Sequence, residues 1–219
     1  MKLRFKAYLF DMDGVVLNSM PYHVKAWQEA FQEFGLTVSP NLLYLYEGAI
    51  EPDTAVQLFC NNGCTITKND FEKILARQKQ IFQERYRVLV SPYPEIPEIL
   101  STLFGMGAST ALVTSSHREI LNSILPKEIL AYFNCVITGD SVERRKPYPD
   151  PYLKAIEALG ATSDEAVAIE NAPSGILSAK QAGASCIAIK TTLDEQHLQK
   201  ADMVVEDHRE LKSAICHTK

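Results

Sequence analysis

The segment Ala7-Tyr8-Leu9-Phe10-Asp11-Met12-Asp13-Gly14-Val15-Val16-Leu17-Asn18-Ser19 constrains this chain more than any other. An apolar run rich in β-formers leads into two carboxylates separated by one residue and then a glycine, the pattern of a buried strand delivering acidic groups to the rim of a sheet. In open α/β sheets that rim is where ligands bind. Carboxylates this close repel unless a cation or a shared proton offsets the charge, so Asp11 and Asp13 point to a metal. An acidic surface turn is the competing interpretation of Asp-x-Asp-Gly by itself. The apolar residues on both sides, Ala7 to Phe10 and Val15 to Leu17, count against it.

Beyond this segment the pattern changes twice. Val24, Trp27, Ala30, Phe31 and Phe34 recur at helical spacing over Tyr22 to Phe34, and Gly35 ends the run. Helical character continues over Asn41 to Tyr46, Asp53 to Asn61 and Asp70 to Tyr86, with no parallel-strand pattern between them. The proline-rich Ser91-Pro92-Tyr93-Pro94-Glu95-Ile96-Pro97 then breaks the helical region. From there helices alternate with short apolar strands: strands at Ser109 to Thr114, Cys135 to Thr138, Ala166 to Glu170, Ser185 to Ile189 and Met203 to Val205. That alternation predicts a doubly wound, parallel, Rossmann-like sheet. The expected organisation is an α/β core from residues 1–18 and 92–219, interrupted by a small all-helical cap over 19–91.

Composition narrows the function. The 219 residues carry a formal net charge of -5 and no long block of Lys and Arg, which argues against a nucleic-acid partner. No uninterrupted apolar segment approaches the ~18 residues of a membrane span, and the start of the chain lacks the pattern of a signal peptide. Five dispersed cysteines suit a reducing cytoplasm better than a disulfide framework. Cys60 and Cys64 would be half of a zinc site, but no second Cys or His pair stands at matching spacing.

The later strands end in polar groups: Thr114-Ser115-Ser116, the loop from Thr138 to Lys146, and Glu170-Asn171. In a parallel sheet these ends share an edge with Asp11 and Asp13. Carboxylates, hydroxyls, an amide and a lysine on one edge are what phosphoryl transfer requires. Asp11-Met12-Asp13-Gly14-Val15, Thr114, Lys146 before Pro147, and Glu170-Asn171 before Ser174-Gly175 together resemble the four motifs of the haloacid dehalogenase superfamily. The similarity is to the branch with a small helical cap that includes β-phosphoglucomutase and phosphoglycolate phosphatase-like enzymes.

The resemblance implies a Mg2+-dependent phosphohydrolase. Asp11 would be the nucleophile that forms an aspartyl-phosphate, and Asp13 the general acid and then base. Thr114, through its hydroxyl, and Ser115, through its amide, would hold the phosphoryl group, and Lys146 would offset charge between nucleophile and phosphate. The implied metal set is Asp11, Asp13, Glu170 and Asn171. That set departs from the usual Glu-Asp of the fourth motif and loses one negative charge. Glu47, just before Gly48 in the cap loop, either restores that charge or is a solvated turn glutamate. His23 and Lys79 match cap positions of similar proteins: by the resemblance His23 would assist Asp13 or contact substrate and Lys79 would face the active site, the competing interpretations being an ordinary helix histidine and a solvated helix lysine. The loop Ala49-Ile50-Glu51-Pro52-Asp53 lacks the arginine with which sugar-phosphate mutases grip a second phosphate, which weighs against a phosphomutase. The Glu47, Asn171 and His23 combination is similar to cap-bearing inorganic pyrophosphatases of the branch. A small phosphorylated metabolite is the first expectation for the substrate and pyrophosphate the alternative, with a catalytically silent binding relative as the non-enzyme case.

Overall fold

The structure, a computed structural model, describes residues 5–46 and 52–216. In chain order the elements are β1 (Ala7–Phe10), α1 (Met20–Glu33), α2 (Pro40–Tyr46), α3 (Pro52–Asn61), α4 (Lys68–Ile81), α5 (Ile96–Gly105), β2 (Ser109–Val113), α6 (Arg118–Ile124), α7 (Lys127–Leu130) and β3 (Cys135–Ile137). There follow α8 (Asp150–Ala158), β4 (Ala166–Glu170), α9 (Pro173–Gln181), β5 (Ser185–Ile189), α10 (Glu195–Leu198), β6 (Met203–Val205) and α11 (His208–Cys216). The chain falls into two compact units, Met1–Asn18 with Ser91–Lys219, and Ser19–Val90.

The first unit holds all six strands in one parallel sheet of order β3-β2-β1-β4-β5-β6. This is the Rossmann-like α/β core that the strand-helix alternation predicts. Every residue of β1 and of β4 is buried, as expected where helices cover both faces of a parallel sheet. α8 packs on β1, β2 and β3, and α9 on β4 and β5. The chain builds outward from β1 on one side through β2 and β3, then returns to its other side with β4. Ligand crevices form where the strand order reverses in this way, outside the carboxyl ends of the strands. Register brings the ends level: Phe10 pairs with Leu112 of β2 and with Ile169 of β4, so Asp11, Val113 and Glu170 emerge together.

The second unit is helical. Trp27 and Phe31 of α1 pack with Phe59 of α3 and Phe71 of α4, with ring centroids 4.9 to 5.9 Å apart. All four side chains are fully buried, worth roughly 1.5–3 kcal/mol each. Arg77 closes the α1–α4 pair with two hydrogen bonds to Glu33, at 2.6 and 2.8 Å. The helix expected from Asp70 to Tyr86 begins earlier and ends sooner. A capping box between Thr67 and Asp70 starts α4 at Lys68, and after Ile81 the backbone widens into a π-helical turn over Phe82–Tyr86 and tightens into a 3-10 turn over Arg87–Leu89. α7 and α10 are four residues each, too short to show a helical period in sequence. Cys60 and Cys64 donate to the carbonyls of Ile66 and Thr37. Among the described residues no helix is long and apolar enough to cross a membrane.

Candidate active site

β1 ends at Asp11, whose backbone N–H donates to Ile169 of β4 at 3.0 Å, so the nucleophile candidate is fixed to the neighbouring strand before its side chain makes any contact. The chain then folds over itself. Gly14, at φ 91°, donates to Leu17 at 2.8 Å while Val16 and Leu17 donate back to Met12, a turn for which a residue with a Cβ would be strained. Two side chains from the far end of the sequence hold this turn. Thr191 donates to the Gly14 carbonyl at 2.6 Å, and His208 Nε2 lies 2.7 Å from the Val15 carbonyl. Because a carbonyl only accepts, His208 must carry its proton on Nε2.

Lys146 is the centre of the arrangement. It is 4% exposed, and its Nζ donates to Asp11 Oδ1 at 2.6 Å, to the Val113 carbonyl at 2.9 Å and to Glu170 Oε1 at 2.6 Å. An ammonium has three protons, and here each has an acceptor. Its neighbours in the run Arg144-Arg145-Lys146 go elsewhere: Arg144 pairs with Asp150 at 3.0 Å, and Arg145 reaches the Gly139 carbonyl and His117. Lys146 Nζ takes Asp11 Oδ1 and makes no bond to Oδ2.

Glu170, 1% exposed, accepts from Lys146 and also from the hydroxyl of Tyr152 at 2.6 Å on the same Oε1, while Oε2 accepts from the Asn171 backbone at 3.1 Å. A Cβ on Gly175 of α9 would lie 1.9 Å from Oε1, so only glycine leaves room for this carboxylate. Asn171 is buried, and its Nδ2 donates to Thr192 Oγ1 at 3.1 Å, which sets the amide's orientation and leaves Oδ1 as its other face.

The loop after β2 supplies hydroxyls. Thr114 Oγ1 accepts from the Ser116 N–H at 3.0 Å, which leaves its own proton to donate outward. Ser115 Oγ is buried without a hydrogen-bond partner, a donor of the kind that an anion's oxygen satisfies. Ser116 Oγ donates to Asp13 Oδ2 at 3.2 Å and orients that carboxylate. The carbonyl of Ser115 would lie 2.1 Å from a Cβ at Gly139, so a glycine is again required for the loop to close.

Asp11 and Glu170 place two carboxylates on one ammonium, and the charge of Asp13 bears on Asp11. Burial above all, joined by the charges of Glu170 and Asp13, pushes the Asp11 carboxyl up to about 8 against the opposing pull of Lys146. Burial also opposes the charge on Lys146, but Asp11 and Glu170 outweigh it and hold the ammonium above its ordinary range. A divalent cation among these oxygens would relieve the excess negative charge, and oxygen donors are what hard divalent ions prefer. Among the described residues no three His, Cys, Asp or Glu side chains form a metal cluster. The implied set does not require one, because it includes an amide and the Asp13 backbone carbonyl.

Of the residues singled out in the sequence, Asp11, Asp13, Thr114, Ser115, Lys146, Glu170 and Asn171 lie at the carboxyl edge of the sheet within the first unit. His23 and Lys79 belong to the second unit. His23 stacks on Phe82 with centroids 3.9 Å apart, with Gln78 Nε2 3.5 Å from its Nδ1, and Lys79 is exposed on α4. Glu47 lies outside the described residues. The sequence names Ser116 only as part of the polar end of β2, without its bond to Asp13, and passes over Tyr152, Thr191, Thr192 and His208. Tyr152 reads as an ordinary core aromatic of a helix, and the other three read as loop polar residues and an isolated histidine.

Comparison with known proteins agrees with this architecture. Residues 8–189 match the family described as haloacid dehalogenase-like hydrolase. Validoxylamine A 7'-phosphate phosphatase of Streptomyces hygroscopicus subsp. limoneus is 29% identical over 218 residues, covering 95% of this chain and 96% of that protein. PpaX of Caldanaerobacter subterraneus subsp. tengcongensis, provisionally named a pyrophosphatase, is 29% identical over 219 residues, covering 97% and 96%. The crystal structure of a hydrolase from Pseudomonas syringae superposes with a TM-score of 0.83 at 24% identity, covering 95% of this chain and 97% of that one, which speaks to the fold. With a match that spans most of its length and all six strands in the expected sheet, the chain belongs to the haloacid dehalogenase-like hydrolase family.

Proposed function

We propose that this haloacid dehalogenase-like phosphatase hydrolyses a small phosphorylated metabolite through a phosphoenzyme on Asp11, with Mg2+ as its divalent ion. The observation that carries this reading is the buried Lys146 bridging Asp11 and Glu170 at 2.6 Å each, beside Asp13 and the hydroxyls of Thr114 and Ser115. The ion, held by Asp11, the Asp13 carbonyl, Glu170 and Asn171 Oδ1, would neutralise charge on the phosphoryl oxygens.

The protein's own groups divide the work. Thr114 donates its free proton and Ser115 its amide and orphan hydroxyl to the phosphoryl oxygens. Asp11 Oδ2 attacks phosphorus, the bond to the leaving oxygen breaks, and Asp13 protonates that oxygen. Asp13, now a carboxylate, then takes a proton from water as the water attacks the aspartyl-phosphate; phosphate leaves and Asp11 is regenerated. Ser116 steers Asp13 for both transfers. Lys146 acts through its field rather than by a contact of its own with phosphate, since its three protons are already bonded to protein acceptors. His23 and Lys79 we assign to substrate contacts from the helical unit, and Glu47 to a supplementary charge on the metal. Cys60, Cys64, Cys135 and Cys186 are free thiols, which suits a cytoplasmic setting.

Pyrophosphate is the second substrate, favoured by the likeness to PpaX over 97% of the chain. The test is phosphate release in the presence of Mg2+ from para-nitrophenyl phosphate, phosphoglycolate, a set of sugar phosphates and pyrophosphate. Turnover of at least one, absent in Asp11→Asn and with a hydroxylamine-sensitive phosphoenzyme in the native protein, is the expected result. Full activity in Asp11→Asn would sink the covalent mechanism.

A further inference from the structure

Tyr152 touches this cluster, and the chemistry above leaves it without a task. It is fully buried on α8, and its hydroxyl donates to the same Glu170 oxygen that accepts from Lys146, each at 2.6 Å. Its ring lies with the Lys146 ammonium 5.1 Å from the centroid, within the range of a cation–π contact. We infer that Tyr152 is a positioning residue that holds the Lys146–Glu170 pair in register with Asp11, an inference that rests on the phosphohydrolase reading.

Phenylalanine would fill this space with the same apolar ring, and a phenolic hydroxyl taken out of water is a cost unless it finds a partner. The partner here is a carboxylate already bonded to an ammonium, and the result is a carboxylate held at both of its oxygens. Oε1 has two donors, Oε2 has the Asn171 N–H, and the Gly175 backbone stands where any larger residue would collide. Glu170 therefore cannot rotate, and Lys146, bonded to it, cannot follow it away from Asp11.

Removing the hydroxyl changes the balance in one direction. Oε1 then has Lys146 as its sole donor and attracts the ammonium more strongly, while the carboxylate gains freedom to turn. Both changes loosen the bond from Lys146 to Asp11 Oδ1 and so the direction of Oδ2. Tyr152 has no hydrogen bond to Thr114 or Ser115, so phosphate binding is left alone. A group acting in this way shifts kcat and leaves KM in place.

The experiment compares the native protein with Tyr152→Phe in magnesium buffer. It measures kcat and KM for para-nitrophenyl phosphate, the inhibition constant of inorganic phosphate, and the thermal melt. The expected result is a kcat lower by about tenfold, with KM and the inhibition constant within about twofold and the variant folded at the assay temperature. Unchanged kcat overturns the inference. So does a rise in KM at constant kcat, which makes Tyr152 a substrate contact, or an activity loss that only tracks the unfolded fraction, which makes it a packing residue. No phosphate release from any substrate by the native protein overturns the phosphohydrolase reading and this inference with it; release that survives Tyr152→Phe at full kcat overturns this inference alone.

Discussion

Replacing Asp11 by asparagine should abolish turnover and, without metal, make the fold more stable. The carboxyl moves from an ordinary value of 3.8 to about 8 on folding, with burial the largest cause. A group whose folded value is raised binds its proton more tightly in the native state. Its contribution is therefore fully present below the unfolded value and is lost as pH rises toward the folded one. At pH 7 about three units of that interval have been crossed, and at about 1.36 kcal/mol per unit this is up to about 4 kcal/mol against the folded state. Asparagine keeps an oxygen for Lys146 and removes the titration. Lys146 retains Glu170 as its charged partner.

The assay is urea or thermal unfolding of both proteins with a chelator, across pH 5 to 8, beside phosphate release with magnesium. The variant should be the more stable at pH 7, and the gap should shrink as pH falls. Excess magnesium should narrow it from the other side, because an ion that binds only the native state stabilises it by about 2.7 kcal/mol at a hundredfold excess over Kd. A variant no more stable than the native protein at pH 7, with a gap that does not change with pH, refutes the charge accounting even if turnover is lost.

Gly175→Ala places a Cβ 1.9 Å from Glu170 Oε1 and must displace that carboxylate or α9; we expect at least a tenfold loss of kcat and destabilisation of about 1–3 kcal/mol, read by turnover and urea melts. His208, whose imidazole burial holds below its ordinary 6.5, binds fewer protons folded than unfolded, so its contribution is lost as pH falls below 6.5. His208→Gln, which can still donate to Val15, should flatten the melting temperature between pH 7 and pH 5 relative to the native protein; equal slopes would remove His208 from the account. Glu47→Ala should weaken magnesium binding measured by calorimetry, and Asn171→Asp in that background should recover part of it by restoring a charge; unchanged affinity in both would exclude Glu47 from the metal.

The division between what sequence and structure each reveal follows particular residues. The fold class was legible because burial on both faces of a parallel sheet demands apolar runs, as at Ala7 to Phe10 and Ala166 to Ile169, and because the helices between them have a different period. The edge on which chemistry collects was legible for the same reason: parallel strands all present their carboxyl ends together, so Asp11, Thr114 and Glu170 had to share a rim. Less visible were element boundaries set by hydrogen bonds, such as the Thr67–Asp70 box that begins α4 and the π-helical turn that ends it.

What sequence alone determined, then, is the list of charged and hydroxyl groups at one sheet edge and the order in which the strands bring them there, because both follow from local pattern and chain direction. Which carboxylate oxygens Lys146 takes, and that Tyr152, Thr191, Thr192 and His208 hold the others in place, were decided only by tertiary structure. Those contacts join residues as far apart as Val15 and His208, and their geometry depends on packing across the sheet, which no local stretch of sequence contains.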